Sequence, residues 1–295
     1  MKLSVLSALS AAFAMWFTIG TFAPYLPLYA AITLGASNFI VGMLSTVYFA
    51  VSTPMSTLMG YIVDKFGRPR LVIGISLVGL SMLNMLPIFV DRPEYLLVIR
   101  AFQGVFGASL IPLANLVASY ELGAGKGVGY TGMFGALGFL TSTLSGGIIS
   151  NYYGYPPVFI VSSFVALFSA ILNLVSLIKI ADVKPGTAKF KLKYLREIPF
   201  TIWIIYLCMF LRQAGGSGIW ALFPLYLRDL GASDFIVGLA YTVSTTFQVC
   251  LMKYIAEKSE VKALKIFLIG LVLSALTFIG YYLAWNAYCL LYTSP

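Results

Sequence analysis

Arg100 and Arg212 stand where a chain this apolar has little room for charge. Each lies inside a long hydrophobic run, IRAFQGVFGAS and FLRQAGGSGIWALFPLYL, and each has a glutamine close by, Gln103 and Gln213. An arginine within a membrane span costs at least about 2.5 kcal/mol and marks a functional site by default. The chemistry on offer is recognition of a solute or of a proton, with no bond broken. A second group of charges is compact: GYIVDKFGRPR holds Gly60, Asp64, Lys65, Gly67, Arg68 and Arg70 within one turn region. An acid among bases can make and break ion pairs, and so latch one conformation against another. Gly60 allows close approach of a helix end, and Gly67 permits a turn at positive φ. Asp64 needs a partner, which Arg68 or a facing helix N-terminus can supply, and Glu121 is a further partner for Arg68. The plainer alternative is a generic basic loop.

Bond-making chemistry finds few residues to carry it. The chain has no histidine, and its three cysteines, Cys208, Cys250 and Cys289, all lie in apolar stretches. Neither metal spacing nor a disulfide framework emerges, and there is no nucleophile–base pair. The expectation is a protein that is not an enzyme and holds no cofactor or metal.

Elements must exist to position these charges. Of 295 residues 60% are apolar and only 10% charged, against about a quarter charged in soluble domains. Apolar runs of membrane-spanning length begin near residues 4, 39, 71, 95, 128, 156, 199, 235 and 264, which predicts about nine transmembrane helices. Such long runs exclude an outer-membrane barrel, whose strands alternate over short segments. The opening MKLSVLSALSAAFAMWF has the look of a signal peptide, but its apolar character continues to about Leu34, so it is read as helix 1.

The net charge of +9 is explained by topology and not by a nucleic-acid partner. Of the 19 basic residues, 15 fall on one side of the predicted spans and two, Arg92 and Arg228, on the other; Arg100 and Arg212 lie within spans. By the positive-inside rule the N-terminus is cytoplasmic. All ten acidic residues fall at boundaries or in loops, Asp234 among them, so no carboxylate sits at a membrane centre among the predicted spans; a proton-carrying carboxylate then lies in helices beyond them, or coupling differs.

The chain is also duplicated. LGASNFIVG at Leu34–Gly42 returns as LGASDFIVG at Leu230–Gly238, each copy opening the second helix of its half. YIVDKFGRPRLVI likewise aligns with YIAEKSEVKALKI, Tyr254 to Ile266, where Glu257 and Lys258 keep the acid–base pair and the glycine is lost. Repeated hydrophobic halves are a mark of secondary transporters, whose substrate site lies between them. The expected organisation is a six-helix N-terminal bundle over 1–178, a basic cytoplasmic linker over 179–197, and a partial C-terminal bundle over 198–295 with helices 7 to 9 and the start of helix 10. A full duplication would supply helices 10 to 12, so the chain reads as a C-terminally truncated fragment.

GYIVDKFGRPR resembles the signature loop of the major facilitator superfamily, with Pro69 replacing one basic position. IRAFQGVFGAS is similar to that family's fourth-helix pattern, with its arginine and glutamine three apart. The resemblance implies an all-α integral membrane protein of the MFS fold, in which helices 1, 4, 7 and 10 line a central cavity. On that reading Arg100, Gln103, Arg212 and Gln213 face the cavity. Arg100 lies roughly 8 Å below the membrane boundary, so snorkelling to the interface is its alternative. Arg212 lies roughly 20 Å into a core about 30 Å thick, where a structural bond to backbone carbonyls is the alternative. In helix 5, Gly129, Gly132, Gly135 and Gly138 recur every third residue and predict close packing. The Gly146-Gly147 pair matches only part of the family's antiporter motif.

The implied function is secondary transport of a small organic solute by alternating access, with proton-linked efflux of amphipathic or drug-like compounds as the first reading. Sugar or organic-anion uptake is one alternative; a non-transporting membrane interaction module is another. The partners expected are the solute, a coupling proton and the lipid bilayer, with no nucleic acid. The chain is expected to be a monomer in the plasma membrane.

Overall fold

The computed structural model describes residues 3–179, 199–283 and 286, with side chains at 124, 178–179, 212–219, 247–264, 266–267, 278 and 281–282 left out. Every regular element among the described residues is helical. The helices are α1 (Leu3–Leu28), α2 (Asn38–Phe66), α3 (Pro69–Met85), α4 (Pro93–Gly107), α5 (Leu110–Leu122), α6 (Ala124–Tyr153), α7 (Pro156–Lys179), α8 (Phe200–Asp229) and α9 (Asp234–Leu283). The linker predicted over 179–197 lies almost wholly outside the described residues.

The helix boundaries follow local chemistry. Pro69, Pro93 and Pro156 open α3, α4 and α7 at positions where a missing N–H costs nothing. Gly67, Gly123 and Gly154 sit at positive φ between helices, a conformation that residues with a Cβ rarely adopt. Pro24 and Pro27 lie inside α1, which loosens into a π-turn at Tyr29–Thr33 with Leu34 N–H bonded to the Tyr29 carbonyl. α4 and α5 are one span interrupted at Ala108–Ser109.

Six helical segments among the described residues are long and apolar enough to cross a membrane: Leu3–Thr33, Asn38–Phe66, Pro69–Phe89, Pro93–Leu122, Gly125–Tyr153 and Pro156–Leu177. These are the first six predicted spans. The first is central, buried on nearly all sides and packed chiefly on α6, α7 and α5. Its small residues Ser7, Ala8, Ala11, Ala12 and Ala14 let those neighbours approach closely. α3 lies along α7, where the Ser81 hydroxyl donates to the Ser163 carbonyl at 2.9 Å and the Ser163 hydroxyl donates back to the Ser81 carbonyl at 2.8 Å.

The described structure does not contain nine separate helical spans. Predicted helices 8 and 9 form one uninterrupted helix of 50 residues, α9. At 1.5 Å per residue it is about 75 Å long, against a hydrocarbon core of about 30 Å. The reason is visible in the aligned turn. Where the first copy has Gly67 and Pro69, the second has Glu260 and Lys262, so both residues that stop and restart a helix are missing.

The two ends of the bundle are joined differently. At the end bearing the α2–α3 turn, the buried apolar core among the described residues is built from the first six spans: Ala11, Met15, Val63, Leu77, Leu113 and Val117 are typical. At the opposite end the core includes Phe223, Leu227, Val237, Ala240 and Tyr241 from α8 and α9, packed with Phe22, Tyr25 and Phe159. Among the described residues, α8 and α9 therefore share a buried core with the six-span unit at one end only.

Candidate functional site

The α2–α3 turn takes the shape its residues dictate. Gly67 caps α2 at φ 64°, its N–H bonded to the Val63 carbonyl at 2.8 Å, and Arg68 and Pro69 start α3. Asp64, Lys65 and Arg68 are exposed, with Lys65 Nζ 5.6 Å from the centre of the Phe66 ring. Arg70 turns the other way. It is buried, and its guanidinium donates to the Ser176 carbonyl of α7 at 3.4 Å. Glu121, expected opposite Arg68, accepts from the Ser4 hydroxyl of α1 at 2.9 Å. Gly60 is not a point of close approach, since a Cβ built there meets nothing within 4 Å. The turn is thus anchored by Arg70, while its acid–base pair stands open to the surroundings.

Arg100 does not snorkel. Its Nε donates to the Leu44 carbonyl of α2 at 3.2 Å, and its Nη1 donates to Gln103 Oε1 at 3.0 Å. The guanidinium also lies 4.4 Å from the centre of the Tyr48 ring and 5.8 Å from that of Phe22, a favourable cation–π setting. Gln103, fully buried, donates to Asn84 Oδ1 at 2.9 Å; Asn84 Nδ2 donates to the Thr18 and Ser162 hydroxyls, both at 3.0 Å. A polar chain therefore crosses the six-span unit from α2 through α4 and α3 to α1 and α7. Sequence reasoning found Arg100 and Gln103 but missed Asn84, Thr18 and Ser162. An asparagine in the apolar run SMLNMLP was the available signal, since a buried amide needs partners. The side chains of Arg212 and Gln213 lie outside those described. α8 runs on through Pro224 without ending.

The seam between the six-span unit and α9 was only partly anticipated. α6 presents Thr143, Gly146 and Gly147. The Tyr25 hydroxyl of α1 donates to the Thr143 carbonyl, and the Thr143 and Thr242 hydroxyls meet at 3.0 Å. A Cβ added at Gly238 would come within 3.1 Å of the Gly147 Cα, so these glycines are required where the backbones touch. Trp220, Phe223 and Phe139 surround Tyr241, with ring centroids 5.1, 5.7 and 6.3 Å away. The strip predicted at every third residue is only half used: Gly135 and Gly138 press on Trp16 and Phe13 of α1, whereas Gly129 and Gly132 meet nothing within 4 Å. Three residues fall about 60° short of a full helical turn, so such a strip rotates off any one neighbour.

At the end of this seam Arg228 forms an ion pair with Asp234, and the Tyr155 hydroxyl donates to the same carboxylate oxygen at 3.3 Å. Burial and the Asp234 charge push the Tyr155 hydroxyl well above the usual tyrosine range. Asp234, expected at a boundary or in a loop, opens α9 and is buried.

Two kinds of likeness bear on this geometry. In sequence, the chain is 25% identical over 238 residues to the multidrug resistance protein MdtG of Escherichia fergusonii, covering 75% of this chain and 57% of that one. It is 29% identical over 241 residues to the multi-drug resistance efflux pump PmrA of Streptococcus pneumoniae, covering 75% and 58%. The chain thus spans little more than half the length of these relatives. In structure, it is similar to a variant of the nucleoside transporter NupG, with a TM-score of 0.78 at 14% identity, covering 99% of this chain and 78% of that one. That likeness concerns the fold. A family model for the Major Facilitator Superfamily matches residues 8–294. A multi-pass helical membrane protein with a six-span unit, an acid–base turn and a second unit begun on the same plan, the chain belongs to the Major Facilitator Superfamily.

Proposed function

We propose that the protein moves a small organic solute across the plasma membrane by alternating access, exporting amphipathic or drug-like compounds in exchange for protons. The observation that carries this reading is the unequal joining of the two units among the described residues. They share a buried core at the Tyr155 end, whereas at the α2–α3 end Asp64, Lys65 and Arg68 stand exposed. Such an arrangement is one of the two states that alternating access requires. With 15 basic residues on the side of the α2–α3 turn, that side is cytoplasmic, as is the N-terminus. The end at which those charges stand exposed then faces the cytoplasm, where an exporter collects its cargo. Export also agrees with the multidrug relatives, MdtG and PmrA.

Asp64, Lys65 and Arg68, on the turn that Arg70 anchors, act as the latch of the opposite state, in which the cytoplasmic ends of the two units close. Arg100 and Gln103 set the shape of the six-span unit and share its polar chain with Asn84. Arg212 and Gln213 are the residues proposed to meet the solute from α8.

The test is flux in proteoliposomes with the purified protein and an amphipathic fluorescent cation. Pumping that follows an imposed proton gradient is expected, and Asp64→Asn should slow it several-fold with insertion intact. Absence of flux across a panel of cationic, neutral and anionic solutes, with and without a pH gradient, would overturn the transporter reading.

A further inference from the structure

The two copies of the nine-residue string differ at one position, Asn38 against Asp234, and the structure puts those positions in different surroundings. Asn38 is exposed at the start of α2. Asp234 has only 5% of its surface exposed, at the start of α9. An acidic residue in a first helical turn is ordinarily explained by the helix dipole alone. Here that explanation is incomplete, because the carboxylate is turned inward and has specific partners. Arg228 at the end of α8 forms an ion pair with Oδ1, and Tyr155, at the α6–α7 corner of the other unit, donates to the same oxygen. Arg228 and Asp234 belong to one unit, so it is Tyr155 that ties this carboxylate to the other unit. Close by, the Tyr25 hydroxyl of α1 lies against the positions where Gly147 and Gly238 would carry a Cβ, at 3.2 Å from the first.

We propose that Asp234 is a clamp, paired with Arg228 and gripped by Tyr155, which keeps the Tyr155 end of the two units closed. The ion pair serves the clamp in two ways. It neutralises a carboxylate that would otherwise be buried unpaired, and it orients the oxygen toward the α6–α7 corner. Opening this end requires α9 to leave α6, which breaks the Tyr155 link and rehydrates the Asp234–Arg228 pair. The duplicated sequence supplies the helix start in both units, and the single Asn-to-Asp difference converts one copy into a lock. The inference rests on the alternating-access reading.

The experiment places spin labels at Tyr152→Cys and Phe235→Cys on a background free of native cysteines, in the purified protein in lipid nanodiscs. Distances are measured with wild-type, Tyr155→Phe, Asp234→Asn and, as a control, Asn38→Asp residues at the positions in question. Tyr155→Phe and Asp234→Asn should each raise the ratio of long to short distances, by about tenfold or more for the loss or weakening of one hydrogen bond to a charged group. Asn38→Asp should leave it unchanged. A wild-type distribution with two populations that neither clamp variant shifts overturns the proposal, and so does an equal shift in the Asn38→Asp control. A single wild-type population that no solute moves, together with absent flux, overturns the alternating-access reading instead.

Discussion

Leu34–Gly42 and Leu230–Gly238 are nearly the same sequence with nearly the same backbone. Gly35 and Gly231 take φ 67° and 82°; Ser37 and Ser233 cap the following helices, each accepting from the N–H three residues on at 3.4 Å. Val41 and Val237 are both fully buried. Beyond that the copies part. Phe39 is 76% exposed and Phe235 39%; a Cβ at Gly42 meets nothing within 4 Å, whereas Gly238 lies against α6. The first copy begins α2, the least buried of the six candidate spans, and the second begins the helix that forms the seam. Local sequence therefore decides how each helix starts, and the neighbouring helix decides what the same residues do.

Matched substitutions at the two glycines give the sharpest contrast. Gly238→Ala should destabilise the protein by about 1–3 kcal/mol through overpacking, because its new methyl meets backbone on α6. Gly42→Ala should be neutral or stabilising by up to about 1 kcal/mol, since alanine favours an open helix position. Thermal unfolding in detergent measures both, and equal effects would show that the copies are not differently packed. The serine caps should behave alike instead. Ser37→Ala and Ser233→Ala should each cost about 0.5–1 kcal/mol, and a much larger loss at Ser233 would mean that its cap is part of the seam.

The smallest effect concerns pH. Tyr155 is a neutral donor whose hydroxyl is held above its ordinary value of 10.0, by burial first and then by Asp234. A raised folded-state value means the contribution is complete below about pH 10 and is lost as pH rises through the folded value. The stability difference between wild type and Tyr155→Phe should therefore stay constant through the neutral and mildly alkaline range. A decline already at neutral pH would contradict the assignment of Tyr155 as donor. Asn38 carries no titratable group, so Asn38→Gln should show no pH-dependent difference at all.

Much of the fold was legible in the sequence. The six candidate spans match the predicted runs, and the glycines and prolines between them act as stops and starts. The family was legible in Gly60–Arg70 because that turn must place an acid, bases and a glycine in a fixed order. The site was less so. Arg100 read equally as a snorkelling or a cavity residue, and the difference lay in Leu44, Tyr48 and Gln103, which reach it from two helices. Asp234 read as one more boundary or loop acid because a sequence window does not show that α6 and Tyr155 cover it. The break between helices 8 and 9 was read from two apolar runs beginning near residues 235 and 264, although Glu260 and Lys262 carry no stop signal.

What the sequence determined by itself is whatever depends on neighbours in the chain. Span length and apolarity set membrane insertion, Gly35, Gly67 and Gly231 set backbone sign, and the Ser37 and Ser233 hydroxyls set the caps. What only the tertiary structure decided is which helix faces which. That choice buries Asp234 against Tyr155 while leaving Asn38 exposed, and gathers Thr18, Asn84, Gln103 and Arg100 into one polar chain. Hydrogen bonds and ion pairs gain their strength from burial, and burial in a bundle is conferred by residues a hundred positions away.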